Sequence, residues 1–435
     1  MTANDLRIDA PALASARPAS RVRRILRVIG PAWIVMVADV DAASVLTAAK
    51  AGTDFGYAML LPIFALVPIL YLVQEMTARL AIGTGIGHAE LIRERFGVRW
   101  GAVSVVSMVV IDLLAYVAEF AGIVLGASLI GIPAVPAVLA ALAFHTFVVL
   151  TGTYARFEIV TLVLSLALFA FVGLAVAAGP DPRAVLGGLS PLQPFDKPGY
   201  LDLVVATVGA VIMPWMLFYQ QAATVEKGLG PGDLRAARWE TFIGAVGSEI
   251  LMAAVVIAAA AAVGTNVAGG VAGANVAGEA VAGGLALPAG LAALADGVPG
   301  LLIAIGMIGA GLLAAVVISL SSAWAWSELL RWPHSLNLSL RRAPGFYALY
   351  LLEVVPAAIV ALVAQDLVAV VIDAMILNVL VLVIPLTFLV RLSGDRALLG
   401  PLAASRRYSA MLWLMTAGLL ALGLTSVVGV IGRAI

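Results

Sequence analysis

Apolar residues run through this chain in blocks near twenty residues long, separated by short stretches rich in glycine, proline and charge. A block of that length crosses a hydrocarbon core of roughly 30 Å as a helix, and the blocks lack the alternating ten-residue pattern of an outer-membrane barrel strand. They predict an all-α polytopic membrane protein with eleven spans, near residues 29–50, 57–80, 101–130, 133–151, 156–179, 201–226, 239–264, 298–330, 345–364, 366–391 and 408–431. Composition agrees: of 435 residues, 63% are apolar and 11% charged, against about half and a quarter in soluble domains.

Lysine and arginine set the expected orientation, because short cytoplasmic loops hold an excess of them. With the N-terminus inside, only Lys50, Arg183, Lys197 and Arg433 of the 25 basic residues fall outside. One missed or invented span would invert every later loop, so the lopsided split supports the span count too. An odd count places the C-terminus outside. Residues 1–28 are expected to form a disordered cytoplasmic tail, and 264–298, free of lysine and arginine, an external loop with a short helical piece.

Basic and acidic side chains balance at 25 each, so total charge points to no nucleic-acid partner. The chain has no cysteine and three scattered histidines, His88, His145 and His334, which excludes disulfides and cysteine/histidine zinc sites. No cofactor is expected. Chemistry must rest on carboxylates, amides, hydroxyls and backbone.

Acids inside spans are informative, since a charge at mid-membrane costs several kcal/mol unless paired, hydrated or protonated. They are Asp39, Asp41, Glu75, Asp112, Glu119, Asp202, Glu249, Glu328, Glu353 and Asp373. An interfacial or arginine-paired role is expected for Glu75, Asp202, Glu249, Glu328 and Glu353. Asp39 and Asp41 lie mid-span in IVMVADVDAASVLTAA, and on a continuous helix their side chains would diverge by about 200°. Both face one site only if the helix unwinds, and unwound backbone at membrane depth lines enclosed cavities suited to a cation. Pro214, inside VGAVIMPWMLFYQQ, predicts a second break near 210–214. Interrupted first helices five spans apart are the signature of two inverted five-helix repeats. The transport core would span 29–391, and 392–435 would add one further helix.

VADVDAASVLTAAKAGTDFGY resembles the first span of the natural resistance-associated macrophage protein (NRAMP) divalent-metal transporters, whose pattern is Asp-Pro-Gly-Asn followed by Gly-x-x-Phe-Gly-Tyr. Asp41 takes the aspartate position and Ala42, Ala43 and Ser44 replace the next three residues. HAELIRERFG, TGTYARFE and GAVIMPWMLFYQQ extend the resemblance through span six. It implies a LeuT-like inverted-repeat fold that carries a divalent cation inward by alternating access, as a monomer in the bacterial inner membrane. The ion would meet Asp41, Ser44, the Ala210 carbonyl and the Met213 thioether, with Asn378 approaching the same cavity and Asp39 adding an oxygen the family pattern lacks.

Departures from the family pattern bear on coupling and selectivity. Trp215 and Gln220 occupy the positions of the family's proton-carrying histidines, so weak or absent proton coupling is expected. Asp112 and Glu119 remain as relay candidates on one face of span three, while Gly122 replaces the next family acid. These gaps resemble the magnesium-transporting branch of NRAMP relatives. Met213 is a soft ligand that favours a transition metal such as Mn²⁺, whereas Ser44 and Asp39 favour a hard, partly hydrated ion such as Mg²⁺.

Two other classes match fragments of the sequence. Gly230-Pro231-Gly232-Asp233 matches the Gly-x-Gly-Asp of membrane aspartyl proteases, but in a hydrophilic linker without a second aspartate motif. An organic-solute symporter on the same fold would receive a carboxylate at half-helix N-termini, which the two aspartates disfavour.

Overall fold

A computed structural model describes residues 29–150, 152–268, 281–282, 285–363 and 367–434. The expected tail, 1–28, lies outside these residues. Among the described residues the regular structure is helical apart from a ribbon pairing Val281–Ala282 (β1) with Leu285–Ala286 (β2). Span one is α1 (Pro31–Ala38) and α2 (Ala42–Phe55), and span two is α3 (Leu60–Thr84). A short α4 (His88–Phe96) precedes spans three and four, α5 (Val98–Leu129) and α6 (Ala134–Leu150). Span five is α7 (Tyr154–Ser165) and α8 (Ala170–Ala177), joined by a tighter turn, and α9 (Pro182–Gly187) follows it. Span six is α10 (Tyr200–Val211) and α11 (Pro214–Glu226); span seven is α12 (Leu234–Ala268). After α13 (Ala289–Ala292) come α14 (Gly297–Leu330), α15 (Pro344–Leu352), α16 (Val354–Val363) and α17 (Leu367–Ser393), which complete spans eight to ten. Finally α18 (Arg396–Leu399) leads to α19 (Arg406–Ala434), the eleventh.

All predicted spans are present, including both breaks. Spans one and six are the interrupted ones that the inverted-repeat pattern required. Proline sits at the first turn of α1 and of α11 (Pro31, Pro214), where its missing N–H removes no helical bond. The two broken helices lie inside the bundle: α1, α2, α10 and α11 are almost wholly buried. Long apolar residues such as Leu166, Val176 and Ile159 stay exposed on outer helices, as lipid-facing positions require. The described part of the 264–298 loop includes α13, packed over α2 with the Gly290 N–H donating to Thr53 Oγ1 at 3.1 Å.

One end of the bundle holds a cluster of ion pairs, while Lys50 pairs with Asp54 at 2.6 Å towards the other end. Glu75 accepts from Arg79, Arg238 (2.7 Å to Nε) and the Tyr408 hydroxyl. Lys227 pairs with Glu158 at 2.5 Å. Glu328 Oε2 accepts the Ala89 amide at 3.0 Å and so caps α4, while Arg93 donates to the Glu328 carbonyl. Glu75 thus holds the arginine-paired role expected of it, whereas Glu328 is buried and its carboxylate takes backbone amides in place of an arginine. The protease-like Gly230–Asp233 segment is a turn in which Asp233 accepts the Gly230 amide at 3.2 Å, a structural use of that motif.

Candidate metal site

Both helix breaks open onto one buried centre. Residues 39–41 interrupt span one; Asp41 caps α2, accepting the Ser44 amide on Oδ1 at 2.7 Å. Ile212 and Met213 interrupt span six in extended backbone. Ser44 Oγ donates to the Ala210 carbonyl at 2.9 Å. Asn378, on α17, donates from Nδ2 to the carbonyls of Gly209 (2.6 Å) and Ile212 (3.2 Å). Asp41, Ser44, Ala210, Met213 and Asn378 are each 0% exposed, and Asp39 is 3% exposed.

Unfilled valences mark the centre. Asp39 Oδ1, Asp41 Oδ2 and Asn378 Oδ1 are buried without a hydrogen-bond donor. A buried carboxylate oxygen left this way is costly. Oxygens of that kind, grouped at membrane depth beside freed carbonyls, suit a cation. The Met213 thioether accepts a hydrogen bond from the Trp215 indole at 3.3 Å, and the Trp215 carbonyl accepts from Ser321 at 2.8 Å. Trp215, at the position of a family histidine, is therefore the hydrogen-bond partner of the Met213 thioether.

A family profile described as natural resistance-associated macrophage protein-like matches residues 32–429. The chain belongs to this family. It is 28% identical over 419 residues to the divalent metal cation transporter MntH of Ralstonia nicotianae, covering 91% of this chain and 89% of that protein. It is 32% identical to the MntH of Deinococcus radiodurans over 240 residues, 51% of each chain; there the match spans about half the length of the relative. In fold it is similar to a mutant of the Eremococcus coleocola manganese transporter, with a TM-score of 0.74 and 20% identity over 95% of this chain and 89% of that one.

Within this NRAMP fold the relay candidates part company. Glu119 reaches the break, where its Oε2 accepts the Ala42 amide at 3.1 Å and its carboxyl interacts with that of Asp41. Asp112 instead accepts from Ser322 at 2.9 Å, on the side of Glu353. Seven residues separate them, roughly 10 Å along α5. Gln220 is buried with both amide atoms unpartnered.

Glu249 corrects an expectation. Its place in the sequence predicts an interfacial or arginine-paired role, yet it is 0% exposed and neither carboxylate oxygen has a hydrogen-bond partner. It lies 15 residues into α12, from Leu234 to 249, so water at the helix end is about 22 Å away along the axis. A lone acid gives no linear clue to its helix face, and its neighbour Asp39 is remote in sequence; depth within the predicted span was the only available signal.

Proposed function

We propose that the protein carries divalent metal cations inward across the bacterial inner membrane by alternating access, with the N-terminus cytoplasmic and the chain acting as a monomer. The observation that carries this reading is the convergence of Asp41, the Ala210 carbonyl, Met213 and Asn378 at two facing helix breaks, with carboxylate and amide oxygens left unfilled. Asp41 supplies charge, Ser44 and the freed carbonyls supply hard oxygens, and Met213 supplies a soft donor that selects for Mn²⁺ or a similar transition metal over Mg²⁺. Bacterial relatives described as divalent metal cation transporters support the same substrate class.

Proton coupling is weak in this reading. Glu119 stands close enough to Asp41 to share a proton with it, but Trp215 and Gln220 do not titrate near neutral pH and Gly122 has no side chain. The anionic lining disfavours an organic-acid substrate.

Metal uptake into proteoliposomes tests the reading. Asp41→Ala is expected to lower Mn²⁺ uptake at least about tenfold, and Met213→Ala to weaken Mn²⁺ and Cd²⁺ uptake more than Mg²⁺ uptake. Uptake unchanged in Asp41→Ala would remove the site, and an equal loss of all three ions in Met213→Ala would remove the thioether as a ligand.

A further inference from the structure

Next to Asp39, at the edge of the centre described above, lies a buried carboxylate that the transport reading does not use, Glu249. Asp39 ends α1, and its carboxyl is within electrostatic range of two other acids, Asp41 and Glu249. Helix packing fixes the height of Glu249 independently. Gly244 of α12 abuts Met36 and the Ala32 carbonyl, and Val256 abuts Gly52 of α2. Glu249 falls between those two contacts, and residues 39–41 fall between their partners on span one. α12 thus runs alongside the broken helix and presents its one mid-helix acid at the level of the break.

Three oxygens here, Asp39 Oδ1 and both of Glu249, are buried and lack any hydrogen-bond partner. No lysine, arginine or histidine among the described residues forms an ion pair with either acid. A buried carboxylate needs a compensating charge. The Asp41 site does not supply one to this side, because its side-chain donors, Ser44 Oγ and Asn378 Nδ2, point to the span-six carbonyls of Ala210, Gly209 and Ile212.

We propose that Asp39 and Glu249 form a second cation site, between α1 and α12, that takes a hard divalent cation of the Mg²⁺ or Ca²⁺ class. Two carboxylates neutralise one divalent charge. An all-oxygen donor set without sulfur or nitrogen selects hard ions, and Mg²⁺ completes its octahedron with retained water. The thioether of Met213 belongs to the neighbouring site, so the two sites sort ions by softness. The second site goes beyond the proposed transport site and stands without it.

Equilibrium binding of Mg²⁺ and, separately, Cd²⁺ to the purified full-length chain in detergent tests the proposal. Glu249→Gln is expected to weaken Mg²⁺ binding by about tenfold or more while Cd²⁺ binding falls less than about threefold. Met213→Ala is expected to show the reverse pattern. The amide substitution keeps the side-chain size, and retained Cd²⁺ binding reports an intact fold. If Glu249→Gln weakens the two ions equally, there is one shared site and the proposal is overturned. Mg²⁺ binding unchanged in Glu249→Gln overturns it as well. Should wild-type protein fail to bind Cd²⁺ while Glu249→Gln still abolishes Mg²⁺ binding, the second site stands and the Asp41 reading falls.

Discussion

His88 shows how far this bundle can hold a titratable side chain in one protonation state. Its ring is buried at the start of α4, Nδ1 lies 2.9 Å from Gln221 Oε1, and the edge of Phe218 packs against it at 4.9 Å between centroids. Burial pushes the imidazole down to about 4. An unfolded histidine titrates near 6.5, so the unfolded chain binds more protons between about 6.5 and 4. The stability contributed by neutral His88 is therefore complete above about 6.5 and is lost as pH falls through that window, about 2 kcal/mol by pH 5. Melting temperature in detergent should drop from pH 7 to pH 5, and His88→Gln should flatten the drop. A variant that melts with the same pH dependence would clear His88 as its source. At this scale the sequence was most legible where a residue was out of place. Asp39 and Asp41 stood out because charge in an apolar run demands a reason. Asn378 was reachable only through family resemblance. Glu249 and the reach of Glu119 to the Ala42 amide depend on which helix face meets which neighbour, and linear order does not encode that.

Gly122 carries the element-scale argument. It replaces a family acid, and a Cβ there would lie 2.3 Å from Cβ of Ala42, well inside van der Waals contact. α5 approaches the break in span one so closely that a side chain has no room. Gly122→Ala should push α2 off its seat at a cost of about 1–3 kcal/mol, visible as a lower melting temperature together with slower Mn²⁺ uptake. If both stay at wild-type values, the close approach is slack that the bundle absorbs. The spans themselves were legible because apolar length and proline position are local properties, and the breaks fell at 39–41 and 212–213 as Asp39, Asp41 and Pro214 predicted. The tighter turn at Leu166–Phe169 in span five has no glycine or proline to announce it. α4 is legible in the sequence only as a cytoplasmic segment, although it forms a helix with five of its nine residues buried.

Across the whole molecule, the larger cluster of ion pairs, Glu75 with Arg79 and Arg238 and Lys227 with Glu158, lies at the end that the lysine and arginine distribution predicts to be cytoplasmic. The absence of cysteine makes this orientation directly measurable. A single cysteine from Ser339→Cys should react with an impermeant thiol reagent only from the cytoplasmic side, and one from Asp196→Cys only from the outside. The reverse pattern would invert the proposed topology.

The first half-helix also depends on a distant part of the chain. α1 has eight residues, about 12 Å of helix, too short to hold its shape alone. Its cap comes from span seven: Glu240 Oε1 accepts the Gly30 amide at 2.6 Å and the Trp33 amide at 3.0 Å. If α1 swings without α12, two amides lose their acceptor and a buried glutamate loses its donors, a penalty of about 1–2 kcal/mol. If it swings with α12, the stub and the long helix turn as a single lever about the break. The geometry of one carboxylate thus decides whether the carrier hinges at a single short helix or rotates as a two-helix blade, with Glu249 riding on that blade.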